Sequence, residues 1–129
     1  MDIEPLREGL RLRNAKKVAE AMDRIRRTSP TDPVMLLLRG KGGPADLILT
    51  WLRCVLLMKK GAGEGEIAAR LGVPEWAVSR DLIPAARRWD VKTLRWLVGE
   101  LARVDRGVLR GSPSPWVACE TALLLGCAG

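Results

Sequence analysis

The sequence contains no histidine, no phenylalanine and no tyrosine. Without histidine it lacks the commonest general base, the Ser–His and Cys–His pairs that activate nucleophiles, and imidazole ligands for a metal. Cysteine is sparse: three residues, at 54, 119 and 127. They form no C-x-x-C pair and have no evident fourth ligand, so no metal site is expected. An odd, sparse set of this kind suits a reducing compartment. Cys54 sits inside an apolar run and reads as a core residue, whereas Cys127, near the C-terminus, is open to oxidation in vitro. A phosphate-binding loop of the form G-x-x-x-x-G-K-[ST] is missing. Arg39-Gly40-Lys41-Gly42-Gly43 has glycines and a cation, but neither the spacing nor a preceding strand, and reads as a surface loop. No two carboxylates form a recognisable acid–base couple. The chain is therefore expected to be non-enzymatic, with no catalytic residue and no cofactor.

Long apolar runs are also missing. The most apolar stretch, Leu47–Met58, is interrupted by Arg53 and falls short of the ~20 residues needed to cross a bilayer. Met1–Arg13 is charged throughout and has no apolar centre of the signal-peptide kind. The expectation is a soluble, cytoplasmic-type domain that makes no membrane contact.

What is present is enough for a core. Of 129 residues, 47 % are hydrophobic, which outweighs the ordering entropy that leaves poorer sequences unfolded. Large aromatic contacts fall to five tryptophans alone: Trp51, Trp76, Trp89, Trp96 and Trp116. Lys and Arg number 22 against 15 Asp and Glu, a formal charge of +7. That excess favours nucleic acid or acidic protein surfaces, or is simply an Arg-rich solvated surface.

Apolar residues recur with a helical period almost everywhere. A short leading pattern, Ile3–Leu6–Leu10, is followed by Ala15, Val18, Ala19, Met22 and Ile25, with Asn14 as N-cap. Ser29-Pro30-Thr31-Asp32-Pro33 stops that helix and opens a long connection over 29–43, in which Val34–Leu38 is either a short helix or extended. From Pro44 the pattern is strongly helical, with Leu47, Ile48, Trp51, Leu52, Val55 and Leu56 covering a face wide enough for a central helix. Lys59-Lys60-Gly61 ends it. Glu64–Leu71 is a short helix closed by Gly72, and Glu75 to about Leu82 is another, with Pro84 placed to break or kink the chain before Arg88. Asp90 caps a long helix whose stripe of Leu94, Leu97, Val98, Leu101, Val104 and Val108 reads as core. After the turn Gly111–Pro115 comes a last apolar helix, Trp116–Leu125. No segment alternates with period two. The expected fold class is all-α: a single domain over 1–129, a bundle of six or seven helices with short connections.

Two motifs stand out. Residues 66–82 resemble a helix-turn-helix: Ala68, Gly72, Val73 and Val78 take the small, turn and apolar positions. Ser79 and Arg80 could then reach bases or phosphates. Asp81 stands where that motif wants an apolar residue, and an ordinary corner between two helices fits the same pattern. The second signal is an ordered series. Glu66-Ile67-Ala68-Ala69-Arg70-Leu71-Gly72-Val73-Pro74, then Val78, then Ala86-Arg87-Arg88-Trp89, resembles the C-terminal collar domain of the delta subunit of the bacterial DNA polymerase III clamp loader. Asp105, Leu109 and Gly111 resemble the end of that family's long helix, with Arg110 in place of its usual Lys, and Glu120, Leu123, Leu124 and Leu125 resemble its final one.

The resemblance implies a role in DNA replication without chemistry: a collar domain that assembles with neighbouring subunits. Its partners would be the clamp-loader ATPase subunits of the gamma/tau type and a delta-prime type subunit, with DNA met indirectly, through the complex. Assembly would proceed by helix-on-helix burial with Trp anchors and Arg pairs. Trp76, Arg80, Arg87, Arg88 and Trp89 are the candidate interface residues on this reading, with the core as the plain alternative for both tryptophans. The competing reading is a DNA-binding helix-turn-helix acting through Ser79 and Arg80.

Overall fold

The computed structural model describes residues 3–28, 34–109 and 115–128, with the side chains of 34–36, 108 and 109 left aside. Every regular element among them is helical, and none is a strand. The elements are α1 (Glu4–Arg11), α2 (Ala15–Thr28), α3 (Val34–Arg39), α4 (Pro44–Lys59), α5 (Glu64–Leu71), α6 (Glu75–Ala77), α7 (Ile83–Arg87), α8 (Val91–Leu109) and α9 (Pro115–Ala128). The all-α bundle expected from the period of the apolar residues is what forms. Inside the expected connection 29–43, the open choice for Val34–Leu38 resolves to a helix. The turn signals at 29–33 and 111–114, and Arg110, lie outside the described residues.

Local chemistry sets most helix ends. Asn14 Oδ1 accepts the Lys17 amide at 3.1 Å and starts α2. Asp90 Oδ2 accepts the Thr93 amide at 2.9 Å and starts α8. Bonds from the Thr93 hydroxyl and amide, with Arg13 nearby, hold the Asp90 carboxyl below its ordinary value. Pro44 occupies the first turn of α4, where its missing N–H costs nothing. Gly72 ends α5 in the left-handed conformation, at φ 68°, which a side chain would strain.

Pro84 does not break the helix. Residues 75–87 run continuously, and the stretch Val78–Leu82 widens into a π-helix. The Ile83 amide bonds back to the Val78 carbonyl, five residues earlier. The physical reason is steric: a proline ring in a tight helix collides with the carbonyl four residues before it, here Arg80, and has no N–H to give. Widening the turn ahead of Pro84 relieves the collision without ending the helix.

Helix α4 lies at the centre, against α1, α3, α5, α7 and α8. It buries Ile48, Trp51, Leu52 and Cys54 there. The same core takes in Leu6 and Leu10 of α1, Met22 and Ile25 of α2, Leu94, Leu97 and Leu101 of α8, and Cys119 and Leu123 of α9. No charged or polar residue is buried among the described residues. At two points the helices approach so closely that an added side chain would make a neighbour shift. A Cβ on Gly9 would lie 3.0 Å from the Val18 amide nitrogen, and one on Gly126 would lie 2.6 Å from Leu97 Cδ1.

All three cysteines are buried and free. Burial pushes the Cys119 thiol up to about 12 and Cys127 up to about 11, and raises Cys54. Because the thiolate is the reactive form, the folded chain at pH 8 should label with a disulfide reagent far more slowly than the chain in denaturant. Equal rates in the two states would contradict the burial of these side chains. Cys127, expected from its position to be open to oxidation, is shielded in the packed α8–α9 seam.

Candidate interaction surface

Two exposed features and one anchoring knot make up the surface that could meet a partner. The knot centres on Arg13. The chain leaves α1 by a Schellman turn: the Asn14 amide bonds to Gly9 O at 2.9 Å and the Arg13 amide to Leu10 O at 3.0 Å. The left-handed position of that turn, usually glycine, is Arg13 itself, at φ 50°. A side chain there costs about 1–2 kcal/mol, and here its guanidinium makes four hydrogen bonds. It donates to Gly126 O of α9 at 3.0 and 3.2 Å and to Arg88 O at 3.1 Å. It also pairs with Asp90 at 3.2 Å. Its face lies 4.8 Å from the Trp89 ring centroid, a cation–π distance.

Replacing Arg13 therefore separates two effects. Arg13→Ala loses the clamp and keeps the left-handed strain, whereas Arg13→Gly loses the clamp and relieves the strain. Both variants should be less stable than the parent, with the alanine variant worse by about 1 kcal/mol. At most sites glycine is the worse of the two. Denaturant titrations that rank alanine above glycine would remove the basis for this account of the turn.

The five interface candidates are not placed alike. Trp76, at the start of the 75–87 helix, is 60 % exposed. Arg80 and Arg87 are exposed on the same helix and have no ion-pair partner among the described residues. Arg88 is exposed too, but its guanidinium leans back on the Arg11 and Pro84 carbonyls at 3.4 Å. Trp89 is no surface residue: it is 4 % exposed, stacks on Trp51 with ring centroids 6.0 Å apart, and donates Nε1–H to Leu10 O at 3.0 Å. The chain turns inward at 88–90 to reach the Asp90 cap, which carries this indole into the core. Trp76 and Trp89, similar in sequence context, have opposite fates.

Within 66–82, α5 and α6 do form two helices around the left-handed Gly72. Ser79 and Arg80 are exposed, but the Ser79 hydroxyl donates to the Glu64 carboxylate at 2.6 Å. Glu64, Glu66, Glu75 and Asp81 are exposed around it. Within 64–82 the only cations against them are Arg70, paired with Glu66 at 3.7 Å, and Arg80, so the segment itself carries more negative charge than positive.

The feature that sequence reasoning passed over is the outer side of α9. This helix is apolar all round, with Glu120 its only charged residue. Trp116, Cys119, Ala122, Leu123, Gly126 and Cys127 face the core. The other side exposes Val117, Ala118, Thr121, Leu125 and Ala128, with Val117 at 55 % and Leu125 at 56 %. A helix hydrophobic on every side belongs in an interior, and here half of it faces solvent. The signal is present in the sequence as an apolar run in which Glu120 and Thr121 are the only polar side chains besides the cysteines.

Other chemistry is thin. No cluster of His, Cys, Asp or Glu among the described residues could hold a metal. The glycine loop over 40–43 is already engaged: the Gly42 amide bonds Asp46 at 2.8 Å and Gly42 O accepts from Arg7 at 2.7 Å. An open depression of about 290 Å³ lies between α4 and α5, lined by Arg53, Leu56, Leu57, Arg70 and Leu71. Its only polar lining residues are Arg53 and Arg70, without the mixed donors and acceptors that orient a small molecule. No helix among the described residues is long and apolar enough to cross a membrane. No family model, curated protein or solved structure matches this chain.

Proposed function

We propose that this chain is a subunit-assembly domain, the collar of a clamp-loader delta-like protein, and that it contributes to loading the sliding clamp for DNA replication. The observation that carries the assembly role is the unpartnered apolar side of α9, with Val117 and Leu125 more than half exposed. Burying that side against a neighbouring helix completes a core that the single chain leaves open. The Arg13 clamp supports the same role by fixing the C-terminal end of α9 through Gly126, so that its outer face is presented rigidly. Trp76, Arg80 and Arg87, on the 75–87 helix, offer a second contact patch: an aromatic anchor with two cations. The family part of the reading rests on the ordered series from Glu66 to Leu125. The partners are then ATPase subunits of the gamma/tau type and a delta-prime type subunit, with DNA reached through the complex.

The test is to mix the chain with bacterial clamp-loader ATPase subunits and resolve the mixture by size-exclusion chromatography with light scattering. Co-elution in a defined stoichiometry is expected, and separate elution overturns the reading. The helix-turn-helix alternative demands duplex DNA binding that falls steeply with salt and is lost in Arg80→Ala. The acidic surroundings of Ser79 and Arg80 support it less well.

A further inference from the structure

Helix α8 has two unlike sides. Leu94, Leu97, Leu101 and Val104 point into the core. Lys92, Arg95, Trp96, Gly99, Arg103 and Arg106 are all exposed. At about 100° of rotation per residue, these six fall within an arc of about 100° and run about 21 Å along the helix axis. No carboxylate lies inside the arc. Glu100 stands at its edge and pairs with Arg103 at 2.7 Å, while Asp105 lies on another side and pairs with Arg39 at 2.8 Å. Lys92, Arg95 and Arg106 have no ion-pair partner among the described residues. The one aromatic on this face, Trp96, is 41 % exposed. Less than a turn further on, Gly99 is open, since a Cβ there would meet nothing within 4 Å.

We propose that the outer face of α8 binds single-stranded nucleic acid, with Lys92, Arg95, Arg103 and Arg106 along the phosphates and the Trp96 indole stacked on a base laid over Gly99. A line of cations without carboxylates matches a polyanion whose charges repeat along one direction. A single exposed indole within that line supplies the π-face on which an unpaired base stacks. A duplex hides its base faces in its own stack and leaves Trp96 without a partner. An anionic membrane needs an apolar helix side turned outward, and that side of α8 is buried in the bundle. The inference does not depend on the collar reading, because it requires only this chain and a strand.

The measurement is fluorescence anisotropy of a labelled 20-residue oligothymidylate titrated with the full chain at several NaCl concentrations. With about 0.7 counterions released per neutralised phosphate, four cations give a log–log salt slope between about −2 and −3. Trp96→Ala should weaken binding about tenfold and leave that slope unchanged, since stacking carries no charge. The double variant Arg95→Glu/Arg106→Glu should abolish binding, and Arg80→Ala should change nothing. All these positions are exposed, so circular dichroism should show the parent helix content throughout. Three outcomes would overturn the proposal: tighter binding to duplex than to the single strand, equal binding to polyglutamate, or full affinity in both α8 variants. Co-elution with ATPase subunits is independent of this titration, so failure of one reading is distinguishable from failure of the other.

Discussion

Trp89→Ala is expected to cost about 3–5 kcal/mol of folding free energy, the range for deleting a large buried aromatic. Three contacts disappear together: the stack on Trp51, the bond from Nε1 to Leu10 O and the face beneath the Arg13 guanidinium. The cavity also lies where α1, α4 and the 88–90 turn meet, so no single helix can shift to fill it. For a chain of 129 residues this should lower the melting temperature by more than about 10 °C. Trp89→Phe should lose less, because a ring can still stack on Trp51 while only the hydrogen bond and some volume are gone. Trp76→Ala, at an exposed site, should stay within about 0.5 kcal/mol of the parent. Thermal melts followed by far-ultraviolet circular dichroism rank the three. Similar losses for Trp76→Ala and Trp89→Ala would mean that the two indoles are not on opposite sides of the surface.

The second large effect is on assembly. The double variant Val117→Glu/Leu125→Glu should leave the melting temperature of the isolated chain nearly unchanged, since both side chains already face water. In the mixture with ATPase subunits it should weaken association by at least about 100-fold, because two uncompensated carboxylates would have to be buried in an apolar contact. Trp76→Ala should weaken it less, because this indole lies on the 75–87 helix and not on the α9 face. Unchanged co-elution of the α9 variant would relocate the interface away from that helix. A lowered melting temperature for the isolated variant would show instead that Val117 and Leu125 support the fold itself.

Much of the architecture could be read without coordinates because it is decided within a few residues. Asn14 and Asp90 place a side-chain oxygen over the first turn of the helix they precede, and Gly72 supplies the one backbone conformation that closes α5. The stripe on α8 faces inward as its period requires, at Leu94, Leu97, Leu101 and Val104. The candidate site was less legible. Of the five residues proposed for contact, Trp76, Arg80, Arg87 and Arg88 are exposed, and Trp89 takes the core alternative that its sequence already offered. Pro84 has only local causes to act through, yet a widened helix and a broken one satisfy them equally well.

The amino-acid order alone thus determined the helical class, most helix ends and the inward face of each amphipathic segment, because caps, glycines, prolines and the 3.6-residue period act through neighbouring atoms. Folding in three dimensions decided the rest. Arg13 takes a strained turn because its partners, Arg88, Asp90 and Gly126, lie 75 to 113 residues further along the chain. No local pattern can announce a bond across that separation. The outer side of α9 is likewise a tertiary outcome: a helix that is apolar all round has no preferred face of its own. Which half meets the core, and which half waits for a partner, depends only on where α2 and α8 come to rest against it.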